Sequence, residues 1–350
     1  MQEPTQTLPE RVTLKDIAAR AGVAVTTVSS ALHRNGRVSE KLRQSIQALA
    51  REMGYEPKMA ARLLRSNTTG HIGLLLPGRI AGDIGESGHA GPILSNFVRA
   101  CEQRDIPYHV EIVNVKEDFE PPRQVAGGLV DGVLMGGYID ERLNAWLEAR
   151  GFPWVSVDEM ANYCVLSAND EGMYQAVQRL AALGHRRFAY VGRPDVHLSH
   201  RLALDGFNKA VADFRLDFRP ERDQRIFSES LRPELLQKAS EWAGEILTRP
   251  DRPTAILCHD MVLARGICYS ALRHGLDVPR DLSLVAVGTA VDAEKALPCL
   301  STIEVNFENI VDQAVSLLVR KLRKEPAMQE AQIRRVVPQL VMRQTVAPPP

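Results

Sequence analysis

Val25, Thr26, Ser29, Ser30 and His33 share one side of a short helical stretch, and small uncharged side chains in that arrangement suit contact with DNA. A Ser or Thr hydroxyl donates or accepts at a base edge or a phosphate, and the Thr methyl can meet a thymine methyl. The stretch lies in Thr13-Leu-Lys-Asp-Ile-Ala-Ala-Arg-Ala-Gly-Val-Ala-Val-Thr-Thr-Val-Ser-Ser-Ala-Leu-His33. Outside the first seventy residues, Asp260 follows a strand end, and two histidines stand close together in His197-Leu-Ser-His200. These suit recognition of a small molecule. Two histidines without a nearby acid or cysteine make a poor metal site, so no metal is expected. Catalytic signatures are also missing from the sequence: there is no Gly-x-Ser-x-Gly, His-Glu-x-x-His, phosphate loop or dinucleotide glycine motif. No catalytic residue and no cofactor is assigned.

The elements that must hold the hydroxyl face follow from apolar spacing. Leu14, Ile17, Ala18 and Ala21 recur at three and four, which makes one face of a first helix with Lys15, Asp16, Ala19 and Arg20 outward. Gly22 ends it and supplies the turn, with Val23 in the corner. A second helix turns Val28, Ala31 and Leu32 inward. Ser39 is placed to cap a third, whose Leu42, Ile46, Leu49, Ala50 and Met53 close the core before Gly54. Lys58-Met-Ala-Ala-Arg-Leu-Leu-Arg65 is amphipathic but too short to be a stable helix alone.

From His71 the pattern changes to strands alternating with helices. Strands are predicted at Ile72–Leu76, His109–Val113, Gly132–Met135 and Trp154–Val157, with helices at Leu94–Gln103 and Glu141–Arg150. A second set begins near residue 164. Helices are expected at Glu171–Leu183, Arg201–Phe214, Pro233–Thr248 and Met261–His274, and strands at Phe188–Val191, Gln224–Phe227, Ala255–Cys258 and Leu282–Val287. Phe307–Arg323 reads as a further helix. Arg335–Val341 reads as a closing strand whose Pro338 suits an edge. The fold class is α/β: an all-α helix-turn-helix headpiece and two doubly wound lobes. Ligands of such lobes sit beyond the carboxyl ends of strands, so the loops after Leu76, Met135, Val157, Val191, Cys258 and Val287 should share a cleft.

Composition sets bounds. The 350 residues are 45% apolar and 25% charged, with no net charge. Residues 1–70 carry 11 Lys and Arg against 6 Asp and Glu, and the rest carries 32 against 37, so the basic end is the nucleic-acid candidate. Five scattered cysteines read as buried thiols of a reducing cytosol, and no run is apolar enough to span a membrane. Residues 1–11 and 347–350 read as frayed tails.

Thr26-Thr-Val-Ser29, Gly54-Tyr-Glu-Pro57, Ala61-Arg-Leu-Leu-Arg65 and Asn67-Thr-Thr-Gly-His-Ile-Gly73 resemble the headpiece and hinge of the lactose-repressor (LacI/GalR) family of bacterial transcription regulators. Weaker motifs extend the resemblance to about residue 345, among them Val130-Asp-Gly132, Leu183-Gly-His-Arg186, Gly206-Phe207 and Gly275-Leu-Asp-Val-Pro-Arg-Asp-Leu-Ser283. The resemblance implies a headpiece at 12–57, a hinge at 58–70 and a periplasmic-binding-protein-like effector and dimerisation core at 71–346. It implies a cytoplasmic repressor that binds palindromic operator DNA as a homodimer. A tetramer is compatible, although no heptad-like tail is present.

The DNA contacts so implied are Thr13, Leu14, Ala24, Val25, Thr26, Thr27, Ser29, Ser30, His33, Arg37, Arg62, Leu64 and Arg65, with Leu64 as a minor-groove wedge. The effector contacts so implied are His89, Asn169, His197, Ser199, Arg201 and Asp260, and Asp260 could equally cap the helix that follows it. The chain also departs from the family pattern. Ala203 stands where an effector-binding arginine is usual, Ala168 replaces an aspartate, and the loop 77–92 is glycine-rich where relatives carry an aromatic. The usual Gly-x-Asp-Asp is here Gly288-Thr-Ala-Val-Asp292. The resemblance implies a small-molecule effector, a sugar or related metabolite; these departures make an effector unlike the common hexoses, or a lost one, an alternative. A stand-alone solute-binding protein is another, and the headpiece argues against it.

Overall fold

The first helix, α1 (Leu14–Ala21), begins at a carboxylate clamp: the Asp16 side chain accepts from both the N–H and the hydroxyl of Thr13, each at 2.7 Å. Those donors hold the Asp16 carboxyl below the ordinary carboxylate range. Gly22 stops the helix at φ 64°, a left-handed conformation that costs a glycine little, and its N–H returns to the Ala18 carbonyl. Helix α2 (Val25–Leu32) follows after two residues, and α3 (Glu40–Glu52) starts where the Ser39 hydroxyl accepts from Leu42 N–H at 3.4 Å. Ile17, Ala18, Val28, Ala31, Ile46 and Ala50 form the buried core, with Leu14, Val23, Leu42, Leu49 and Met53 packed around it. This is the expected three-helix unit. The structure, a computed structural model, describes residues 12–32, 38–55, 68–78, 88–114, 118–137, 140–194, 197–228 and 232–350.

The chain divides into two compact units at the Thr69–Gly70 boundary. The second unit contains two six-stranded sheets. In the first, β1 (Ile72–Pro77), β2 (Tyr108–Val113), β3 (Gly132–Gly136), β4 (Trp154–Val157), β5 (Tyr163–Ser167) and β11 (Gln332–Val336) lie in the order β11-β5-β4-β3-β1-β2, all parallel. The second comprises β6 (Phe188–Gly192), β7 (Gln224–Ile226), β8 (Ala255–Cys258), β9 (Ser283–Gly288), β10 (Ser301–Glu304) and β12 (Gln339–Val341), in the order β12-β10-β9-β8-β6-β7. Only β12 is antiparallel to its neighbour. Runs such as Leu74-Leu-Leu76 and Leu284-Val-Ala286 are buried throughout because helices cover both faces of each sheet.

Helices alternate with the strands: α4 (Ala90–Glu102), α5 (Arg123–Ala126), α6 (Glu141–Ala149), α7 (Asn169–Ala182), α8 (Leu198–Asp213), α9 (Pro220–Asp223), α10 (Arg232–Leu247), α11 (Met261–Arg273), α12 (Ala290–Glu294) and α13 (Phe307–Leu322). Three passages join the lobes. The chain enters the second lobe after β5, where α7 packs with α8, and it returns after β10, where α13 packs on the first sheet. The third passage corrects the single closing strand expected at Arg335–Val341. Pro338 has no N–H for a ladder, and the strand is split around it into β11 at the edge of one sheet and β12 at the edge of the other.

Strands β5 and β10 were not anticipated. β10 is rich in hydroxyls, yet Ser301 and Thr302 are fully buried. Ser301 N–H donates to Thr345 Oγ1 at 2.8 Å, and Arg343 Nη1 donates to Thr302 Oγ1 at 2.6 Å. The C-terminal residues are docked rather than frayed: Ala347 N–H donates to Ser283 Oγ at 3.1 Å, and its carbonyl lies 2.8 Å from His185 Nε2. The cysteines are unpaired; Cys268 and Cys299 are half-buried rather than buried like the other three.

Candidate functional site

On α2 the outward side chains are short and uncharged. Val25 is 40% exposed, Ala24 and Thr26 are exposed, and Thr27 and Ser30 are half-buried. The first turn of α2 carries no acidic side chain, and Ala24 has no oxygen to cap it, so its N–H groups suit a phosphate. Ser29 departs from expectation, being buried at 6% exposure. A helix advances about 100° per residue, which leaves Ser29 only about 60° from inward-facing Leu32. Leu14 is half-buried against the three-helix core, and Thr13, exposed, is engaged by Asp16. His33, Arg37, Arg62, Leu64 and Arg65 lie outside the described residues.

The second candidate site is built at the carboxyl ends of the strands. After β4, Asp158 adopts φ 62° and is buried; its Oδ1 accepts from Ser167 N–H at 2.5 Å, and its Oδ2 lies 3.6 Å from His89 Nδ1. His89 precedes α4 and sets its ring edge against Phe307, 5.3 Å between centroids. Glu159, also of the first lobe, crosses to the second: its Oε1 accepts from Leu198 N–H at 3.2 Å and lies 3.4 Å from His197 Nδ1. Leu198 also joins Cys164 and Leu166 in a small apolar cluster between the lobes. A groove of about 810 Å³ nearby is lined by Pro92, Ser95, Thr289, Asp292 and Phe307 among others.

The remaining expected contacts have mixed placements. Asn169 is buried: its Oδ1 accepts from Ser167 Oγ at 2.7 Å, and its Nδ2 donates to the Ser199 carbonyl at 3.4 Å. Arg201 is exposed on α8. Asp260 caps α11, with Val262 N–H donating to its Oδ1 at 2.5 Å. Asp292 and Thr289 cap α12 between them, which explains why the altered Gly288-Thr-Ala-Val-Asp292 turn is well formed. Sequence reading missed Asp158, Glu159, Arg193 and His259, and treated His200 as plain loop. The rule of strand ends was the available signal, since Asp158 directly follows β4 and His259 follows β8.

His200 and His259 stack edge to face, 4.3 Å between centroids, and His197 meets His200 at 5.1 Å. Burial lowers the pKa of His89 although the Asp158 carboxylate opposes it; it lowers His200 to about 4 and His259 well below the usual imidazole range. Asp158 shifts upward for the same reason, with His89 opposing. His185, buried beneath the C-terminal segment, is also lowered by burial. These imidazoles are neutral when folded, so on acidification the unfolded chain takes up protons first. Stability present at pH 7 is therefore expected to fall as pH drops below the ordinary imidazole value, by up to about 1.4 kcal/mol per pH unit for each such ring. Asp158, shifted upward, acts in the opposite sense. Thermal melts at pH 7, 6 and 5 check this, and an unchanged or rising midpoint would contradict it.

A three-helix unit with an exposed, uncharged outer face beside a two-lobed α/β core is the architecture of a DNA-binding regulator. The family described as bacterial regulatory proteins, lacI family, matches residues 13–58, and that of the periplasmic binding protein-like domain matches residues 177–346. The HTH-type transcriptional repressor PurR of Escherichia coli O139:H28 is 31% identical, covering 97% of this chain and 98% of that one; PurR of Klebsiella pneumoniae is 30% identical over 97% and 98%. Among solved structures, the Lac repressor dimer bound to operator and the anti-inducer ONPF superposes with a TM-score of 0.80 at 22% identity, covering 97% of this chain and 100% of that one. A transcriptional regulator CelR–cellobiose complex gives 0.68 at 21% identity, covering 96% of this chain and 100% of that one. The chain belongs to the lacI family of bacterial regulatory proteins.

Among the described residues, no helix is long and apolar enough to cross a membrane.

Proposed function

We propose that this regulator is a cytoplasmic repressor that grips a two-fold symmetric operator as a homodimer, and that a small molecule between its lobes sets the affinity. The observation that carries this reading is the exposed Val25–Thr26 corner of α2 on a headpiece drawn from the basic end of the chain. The PurR relatives are repressors, and the Lac repressor neighbour is a dimer on its operator. Phosphate contacts supply most of the binding free energy and a steep loss with salt, while Val25, Thr26, Ser30 and the Leu64 wedge set sequence preference. Headpiece residues 12–57, hinge 58–70 and core 71–346 divide the work.

Ligand in the cleft acts by changing the relative angle of the lobes, which Glu159 and Leu198 hold in one arrangement here. Such coupling typically amounts to about 1–3 kcal/mol. No chemical step is assigned to the chain, and a panel of hydrolase and dehydrogenase assays should be silent. The sequence departs from the family pattern at the aromatic of the loop 77–92 and at the Gly-x-Asp-Asp turn, so calorimetry with common hexoses is expected to show no tight binding.

The direct test is selection of bound fragments from a random DNA pool, repeated with Thr26→Ala. The variant is expected to keep its fold and dimeric state while changing its ranking of selected operators, with individual sites shifting by about 1–3 kcal/mol. An unchanged ranking would mean that α2 does not read bases.

A further inference from the structure

His259 stands out in the cleft. It follows β8, its backbone N–H donates to the Val191 carbonyl at 2.9 Å, and its Nε2 is shielded from solvent with no hydrogen-bond partner among the described residues. The Ser199 carbonyl interacts with the same ring and, with Nε2 unpartnered, draws the proton to Nδ1. His200, packed against it at 4.3 Å, is fixed the same way: its Nδ1 lies 2.9 Å from the Pro194 carbonyl. A ring nitrogen facing a carbonyl carries the hydrogen, so Nε2 presents a lone pair. A buried lone pair without a donor is costly, which makes it a seat waiting for one.

Resting on the effector reading above, we propose that His259 Nε2, supported by His200, is the acceptor that recognises the effector, and that the effector presents an uncharged or cationic N–H or O–H donor there. Anionic groups are disfavoured. A bare lone pair repels an anionic acceptor; Arg193 is the charged side chain that acts on both rings, while Asp158 and Glu159 act on His89 and Asp260 on Cys258. His89 and His197 complete the titratable groups around it. Burial keeps the His259 and His200 rings unprotonated at neutral pH, so they accept rather than donate. A metal ion is the rival occupant for paired imidazoles with anchored Nδ1 atoms, but among the described residues no three His, Cys, Asp or Glu side chains group as ligands.

Two measurements on the full chain test this. In the first, imidazole nitrogen spectra of histidine-labelled protein at pH 7, assigned with His259→Phe, are expected to show a bare Nε2 on His259. A proton on Nε2, or an imidazolium, overturns the proposal without touching the effector reading. In the second, a broad metabolite panel is titrated calorimetrically, with matched pairs (adenosine and adenosine 5′-monophosphate, glucosamine and glucuronate, ethanolamine and glycolate) and zinc chloride.

Heat is expected only from uncharged or cationic members. His259→Phe should weaken any hit about tenfold or more, and His259→Gln, which keeps an acceptor, should stay within a few fold. Preference for the anionic partner of a pair, zinc binding abolished by His259→Phe, or a hit unmoved by that variant overturns the proposal. A silent panel beside a bare Nε2 overturns the effector reading itself.

Discussion

Gly206→Ala is expected to lower the melting temperature of the two-lobed unit by roughly 5–10 °C and to abolish effector binding with it. Gly206 lies in α8 where that helix crosses the start of α7, and a Cβ there would sit 2.1 Å from the Asp170 carbonyl oxygen and 2.6 Å from its Cα. Both are backbone atoms, so no side-chain rotation relieves the overlap, and the helices must move apart. Two effects compete. Alanine favours a helix over glycine by about 1 kcal/mol, whereas forcing a methyl into a filled core costs about 1–3 kcal/mol and more when backbone must shift. The overlap wins because Ala203, Phe207 and Ala210 on α8 are already fully buried against Met173, Ala176 and Val177 of α7. The loss extends to function, since α7 opens with Asn169 and α8 opens with Leu198 and His200, which form one side of the cleft. Calorimetric melting of wild type and variant decides the matter; equal midpoints would mean that the two helices are not packed so closely.

How much of this was legible depended on whether a feature was local. Headpiece helices could be read because a period near 3.6 and the glycine stop at Gly22 act within a few residues of one another. The same reasoning misfaced Ser29, because periodicity alone does not say how wide the buried stripe is. Strands with continuous aliphatic runs, such as β1 and β8, announce themselves. β10 does not, because its Ser301 and Thr302 acquire partners from residues about forty positions downstream. Pro338 was recognised as an edge residue, but that it parts two sheets depends on topology.

Cleft residues were the least legible. His89, Glu159, Leu198 and His259 come from four separate connections that follow strands, and nothing in their spacing foretells that Glu159 meets Leu198 N–H or that His259 stacks on His200. Asp260 was the exception, because helix capping is a property of adjacent residues.

Ile17→Ala should have the opposite profile from Gly206→Ala: operator binding weakened, with the melting of the two-lobed unit unchanged. Ile17 is fully buried in a headpiece core that, among the described residues, holds six buried apolar side chains. Truncating a buried isoleucine costs about 2–5 kcal/mol, and a unit of this size has about 2–6 kcal/mol of total stability. The truncation therefore consumes most of what holds the headpiece together. A headpiece folded only part of the time binds with an affinity reduced by that fraction, about tenfold for each 1.4 kcal/mol by which the cost exceeds the headpiece's stability. If two headpieces grip one operator, both must fold, and the factor is squared. Fluorescence anisotropy on a half-site and on a full two-fold site separates the cases: the full-site loss should be about the square of the half-site loss. Equal losses on both sites would refute two-fold gripping, and an unaffected half-site would show that Ile17 does not support the reading helix.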